Sequence, residues 1–130
     1  METKDFNPEL IRQKKAIEKF VSIFKGTYER LSPTDVDFKI FDTNGEPIAY
    51  VNVITTMKNM SRAYPLKVTA QEITKLLRKR LNPTIVWACD DGIIYGKLKE
   101  LSGQIQYVSS FDELIVFFDK QKSFKYVRYT

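Results

Sequence analysis

Apolar side chains recur at helical spacing near the start of the chain. Leu10, Ile17, Phe20, Val21 and Phe24 fall on one stripe, and Lys14, Lys15 and Lys19 fall largely off it. Asn7 is placed to cap this helix, Pro8 suits its first turn, Glu9 complements the N-terminal dipole and Gly26 suits its far end. The period then changes to two. Val36, Phe38 and Ile40 alternate with Asp37 and Lys39, and Asp42 to Glu46 holds the Asn44-Gly45 pair of a tight turn. Ile48 to Thr56 follows as a second strand. Tyr50, Asn52 and Ile54 share one of its faces, and Ala49, Val51 and Val53 share the other.

Residues 55–66 read as irregular and polar. A second helix is predicted over Thr69 to Leu81, with Ile73, Leu76, Leu77 and Leu81 as its apolar stripe. Thr69 and Glu72 have capping-box spacing, and Pro83 ends the helix. Thr84 to Cys89 is apolar on both faces, the pattern of a strand covered on both sides. Asp90-Asp91-Gly92 is a turn, Ile93 to Leu98 a strand, and Gln104 to Val108 a short strand or bend. Ser110 with Glu113 predicts the start of a last helix bearing Leu114, Ile115, Phe117 and Phe118. The tail from Lys122 alternates basic and aromatic residues and reads as extended. The order predicts one α/β domain over residues 1–130, with helices flanking a mixed central β-sheet of about four or five strands. The hairpin is expected at its centre. The core is expected from Leu10, Ile17, Phe20, Phe24, Phe38, Ile40, Val51, Val53, Leu76, Leu77, Ile85, Val86 and Trp87.

Composition narrows the chemistry. The 130 residues include no histidine, which excludes His-based triads, imidazole zinc sites and a histidine pH switch. The one cysteine, Cys89, rules out an intrachain disulfide and reads as a small core hydrophobe. No apolar signal core opens the chain in METKDFNPELIRQKK. No apolar run nears the roughly 18 residues of a membrane span. An intracellular protein without a membrane partner is expected. The formal net charge of +5 suits an acidic partner such as nucleic acid. Two clusters concentrate it. Lys67, Lys75, Arg78, Lys79 and Arg80 surround the second helix with Glu72 as the one acid between Lys67 and Asn82. A helix C-terminus attracts cations in any case. Lys120, Lys122, Lys125 and Arg128 interleave with Phe124, Tyr126 and Tyr129 over the 120–130 segment. That mixture suits phosphate contact plus base stacking, and equally the protective charge of an edge strand.

The stretch DVDFKIFDTNGEPIAYVNVITT resembles the core hairpin of the PD-(D/E)xK, or restriction-endonuclease-like, superfamily. There an aspartate opens one strand, and the next carries an acid, one intervening residue and a lysine. Helix, hairpin, helix, strand is also that family's element order. PTIVWACDDGIIYGKL resembles the strand pair after the second core helix in nuclease domains like the N-terminal part of type I restriction subunits. The resemblance spans roughly residues 8–120. It implies a restriction-endonuclease-like core and metal-dependent phosphodiester chemistry, in which carboxylates hold magnesium or manganese against the scissile phosphate.

On this mapping Asp37 matches the aspartate and Glu18 the glutamate of the first helix, so these two are the candidate metal ligands. Asn52 stands at the acid position and Ile54 at the lysine position. Lys39, two residues past Asp37, and Lys58, beyond the second strand, are lysines that a rearranged site would use. Gln71 and Lys75 stand at i, i+4 on the second helix. More simply, Glu18 is a surface partner of Lys14 or Lys15, and Asn52 a buried amide. The leading expectation is a nuclease-like domain that binds nucleic acid, DNA rather than RNA, without cutting and without a cofactor. Phosphate contacts are expected from Lys75, Arg78, Lys79, Arg80, Lys125 and Arg128, with Tyr126 for stacking. Two alternatives stay open. One is a magnesium- or manganese-dependent nuclease using Asp37, Glu18 and Lys39 or Lys58. The other is a protein-interaction scaffold, in a homodimer or a larger complex.

Overall fold

In a computed structural model, residues 7–130 are described. Residues 1–6, which open the segment inspected for a signal core, lie outside them. Helix α1 (Pro8–Ser22) starts where Asn7 Oδ1 accepts from the Glu9 and Leu10 amides. Strands β1 (Thr27–Arg30), β2 (Phe38–Phe41), β3 (Pro47–Thr55) and β4 (Leu66–Thr69) come next. Helix α2 (Ala70–Leu77) leads to β5 (Pro83–Ala88), β6 (Gly92–Lys97), β7 (Gln104–Val108), β8 (Glu113–Phe118) and β9 (Lys125–Arg128). Short 3-10 turns occupy Met60–Arg62 and Leu98–Glu100.

The main sheet has six strands in the order β1-β2-β3-β5-β6-β9, rather than four or five. It is mixed: β3 and β5 run parallel, and every other neighbouring pair is antiparallel. Strand β1 escapes the hydrophobic pattern because TYER is short and almost wholly exposed. At the β2–β3 turn, Asp42 Oδ1 accepts from the Asn44 and Glu46 amides, and Gly45 takes φ 80. A glycine holds that left-handed conformation without a steric penalty.

A second, antiparallel sheet has the order β4-β8-β7. It corrects the expectation of a last helix. Ser109 to Asp112 form a hairpin turn, with Asp112 at φ 52, and Glu113–Phe118 is a strand. The run Leu114 to Phe118 is rich in β-branched and aromatic residues, which fit a pleated surface better than a helix. Helix α2 stops at Leu77, four residues before the predicted end, so that the chain can turn into β5.

Each face of the main sheet has its own core. Ala16, Ile17, Phe20 and Val21 of α1 pack against Phe38, Ile40, Val51, Val53, Val86 and Ile93. On the other face Leu76 of α2 joins Leu66, Val68 and Phe118 of the small sheet against Ile85, Trp87 and Ile94. All six residues of β5 are buried, as its two-sided apolar pattern requires. Each large aliphatic or aromatic side chain so placed contributes about 1.5–3 kcal/mol. Trp87 joins the two sheets: its ring meets Phe118 and Phe124 edge-on, and its Nε1–H donates to the Lys67 carbonyl at 3.0 Å.

Two expected core residues are outside the core. Leu10 is 46% exposed and lines an open hollow with Lys14, Tyr28 and Arg30, because Gln13 is the residue of that turn that enters the interior. Leu77, in the last turn of α2, is 54% exposed. No helix among the described residues is long and apolar enough to cross a membrane.

Candidate nucleic-acid interface

Strand β2 enters the ladder at Phe38, opposite Val51, so the edge of β3 beyond Val51 needs other partners. Side chains supply them. The Val53 amide donates to Asp37 Oδ2 at 2.8 Å, and the Val53 carbonyl accepts from Gln13 Nε2 at 3.3 Å. Gln13 Oε1 accepts from Arg30 Nη2, and the Asp37 amide donates to Asn52 Oδ1 at 2.8 Å. Asp37 and Asn52 therefore stand side by side across the hairpin. Burial raises the Asp37 carboxyl above the ordinary carboxylate range. It outweighs the Val53 hydrogen bond and the positive charges of Arg30 and Lys75, and Glu9 pushes the same way as burial. Ile54 is half-buried and packs into the core on the α2 side.

Among the other expected site residues, Lys75 acts on Asp37 through its charge, and the rest make contacts of their own or face solvent. Glu18 is exposed and accepts from the Tyr28 hydroxyl at 3.2 Å. The α1 carboxylate whose charge reaches Asp37 is Glu9, about 13 Å earlier along the helix axis. Lys39 lies over the rings of Phe41 and Tyr50, and Lys58 is exposed on the bend after β3. Lys75 is half-buried on α2, and Gln71 is exposed. Among the described residues no three Cys, Asp or Glu side chains gather closely enough to hold a metal ion. The donors beside Asp37 fit magnesium poorly. Asn52 Oδ1 and Asp37 Oδ2 both accept from backbone amides, and among the described residues Asp37 belongs to no group of three potential metal ligands.

Beyond the carboxyl ends of β3 and β5, basic side chains gather around Asp90 and Asp91. Arg12 reaches over this end, pairing with Asp90 at 2.8 Å and donating to the Thr56 carbonyl. Asp91 fixes the next segment by accepting from the Met60 amide at 2.9 Å, and Arg128 lies 3.7 Å from its other oxygen. Two open grooves run along this rim. One, of about 540 Å³, is lined by Met57, Lys58, Asn59, Arg62 and Asp90. The other, of about 490 Å³, is lined by Met60, Ser61, Tyr64, Asp91, Lys120, Tyr126 and Arg128. The Tyr64 and Tyr126 hydroxyls bond to each other there, and burial with that bond pushes the Tyr64 phenol up. Cys89, beneath the turn, is pushed up to about 12 by burial and by the charges of Asp91 and Asp90, so it stays a thiol.

The predicted phosphate contacts divide between separate surfaces. On α2 and its exit, Arg78 and Arg80 are exposed, and neither forms an ion pair among the described residues. Lys79 is held by Asp35 at 2.9 Å, a bond that keeps the Asp35 carboxyl below its ordinary range. On β9, Tyr126 pairs with Ile94 and shares the α2 face of the sheet, whereas Lys125 pairs with Tyr95 and lies beside Phe20 of α1 and Ile23 just after it. Alternation along the strand separates Lys125 from Arg128 in the same way. Sequence reasoning passed over Arg12, Gln13, Arg30 and Arg62. The signal for Gln13 was available: it is a polar residue within the apolar stripe between Leu10 and Ile17. Comparison with family models, with curated proteins and with solved structures yields no match for this chain.

Proposed function

We propose that the chain is a nucleic-acid-binding domain with a restriction-endonuclease-like core that no longer cuts. The observation that carries this reading is the company Asp37 keeps. Its neighbour across the hairpin is the amide Asn52, the next position on that strand face is the half-buried Ile54, and the opposite charges acting on it are Arg30 and Lys75. An amide and an aliphatic side chain in those places give a divalent cation little to bind beside Asp37. The element order supports the frame: a helix, the antiparallel β1-β2-β3 meander, then α2 as the crossover to a parallel β5. The grooves at the carboxyl ends of β3 and β5 supply the binding surface. Lys58, Arg62, Lys120 and Arg128 contact phosphates, and the Tyr64–Tyr126 pair offers aromatic faces to bases. Arg78 and Arg80 extend the basic surface on the α2 side.

Phosphate-led binding is salt-dependent and weakly sequence-selective. A fluorescence-anisotropy titration with short labelled DNA and RNA tests it. With about four phosphate contacts, affinity is expected to fall roughly 100-fold between about 50 and 200 mM salt. Failure to bind either polymer at low salt overturns the reading. Cleavage of the bound oligonucleotide on adding magnesium or manganese overturns the silent part of it.

A further inference from the structure

We propose that β7 pairs with the β7 edge of a second copy of this chain, giving a symmetric dimer. The two sheets have four edge strands, and three of them are guarded by charge: Glu29 and Arg30 on β1, Lys125 and Arg128 on β9, and Lys67 on β4. Charged residues on an edge discourage a further strand from adding. Strand β7 has none. From Leu101 to Phe111 there is no charged residue at all, in a chain where 28% of residues are charged. The edge that lacks this protection is therefore a local choice of sequence, against the composition of the rest.

The same strand also presents unburied apolar surface. Ile105 pairs with Val116 and Tyr107 with Leu114 across the β7–β8 ladder, so these four share one face. Val116 in turn pairs with Val68 of β4, whose side chain is in the core. The face thus runs outward from the core and stays apolar after it leaves cover: Ile105 is 58% exposed, Tyr107 60% and Leu114 50%.

The pattern of β7 suits its own copy. Antiparallel pairing centred on Gln106 sets Ile105 against Tyr107 of the second copy, twice, with Gln106 facing Gln106 on the axis. Both contacts are aromatic with β-branched, a favourable cross-strand pair. The two Ile105–Tyr107 contacts lie on the same face, so the combined sheet carries one apolar strip. A chain of net charge +5 repels its copy at most surfaces, and β7 is where that repulsion is locally absent.

The test is the mass of the full chain by sedimentation equilibrium over a range of concentrations, at high salt so that nucleic acid does not contribute. A mass rising to twice that of the chain is expected. I105K and Y107K, both at exposed positions, are each expected to raise the dissociation constant at least tenfold while circular dichroism stays unchanged. The double variant I105K/Y107E puts opposite charges across each pair in this register, and is expected to recover most of the loss. A monomer at every concentration overturns the proposal; an unguarded edge that receives another protein's strand would give that result. A dimer indifferent to I105K and Y107K overturns it too, since the interface then lies elsewhere. Failure of the double variant to recover overturns the register.

Discussion

Val53 receives both of its hydrogen bonds on the β2 side from side chains, Asp37 at the amide and Gln13 at the carbonyl. Asp37 therefore supports the strand, at the cost of holding a carboxylate out of water. Its folded pKa lies above the ordinary 3.8, so the folded state binds its proton more tightly than the unfolded chain. The stabilisation this gives is complete below 3.8 and is lost as pH rises through the folded value. D37N keeps an acceptor for Val53 and removes the titration. Relative to the parent, D37N is expected to gain stability between roughly pH 4 and 7, read as the change in urea midpoint at the two pH values. Asn52 permits a second test. N52E places a like charge beside a half-buried carboxylate, and is expected to lower Tm in a metal-free buffer. If the pair is the remnant of a metal site, magnesium or manganese recovers part of that loss by binding the folded state alone. A Tm that ignores both metals would show that these two positions never shared an ion.

Two segments carry the same serine/threonine-to-glutamate spacing and fold differently. Thr69 accepts from the Glu72 amide and Glu72 reaches back to the Thr69 amide, forming the cap of α2. Ser110 and Glu113 instead belong to the β7–β8 hairpin. T69A is thus expected to cost about 1 kcal/mol, and S110A to stay within about 0.5 kcal/mol, by denaturant titration. The residues just past each cap signal decide the outcome. After Glu72 the apolar residues Ile73 and Leu76 are spaced for one helix face, whereas after Glu113 they are contiguous, and Ile115 to Phe118 pair with β4. The hairpin of β2 and β3, the buried β5 and the extended tail were legible because their alternation or two-sided apolarity is local. The adjacency of Asp37 and Asn52 was legible for the same reason, through hairpin register. That Glu9 rather than Glu18 acts on Asp37 was not, because it depends on how far α1 slides along the sheet. Nor was the rim of Arg12, Arg62 and Lys120, which three separate segments bring together.

At the scale of the whole molecule, the basic surface is divided by the sheet that carries it. Lys58, Arg62 and Arg128 border the grooves, while Lys125 lies on the α1 face. K58Q/R62Q is expected to weaken nucleic-acid binding and to reduce the slope of log affinity against log salt by about 1.8, near 0.9 for each phosphate left without its cation. K125Q is expected to leave that slope unchanged. Equal effects from the two variants would mean that the nucleic acid wraps the β9 edge instead of lying along the rim.

The hydrogen bond from Trp87 to the Lys67 carbonyl, with Phe118 against its ring, spans the seam between the two sheets. Trp87 is also the one tryptophan of the chain and is 1% exposed. The protein therefore contains its own optical sensor of that seam, needing no label. If the small sheet loosens while the large one persists, indole emission shifts to the red before the far-ultraviolet signal of the backbone declines. If the two sheets unfold as one cooperative unit, the two signals superimpose.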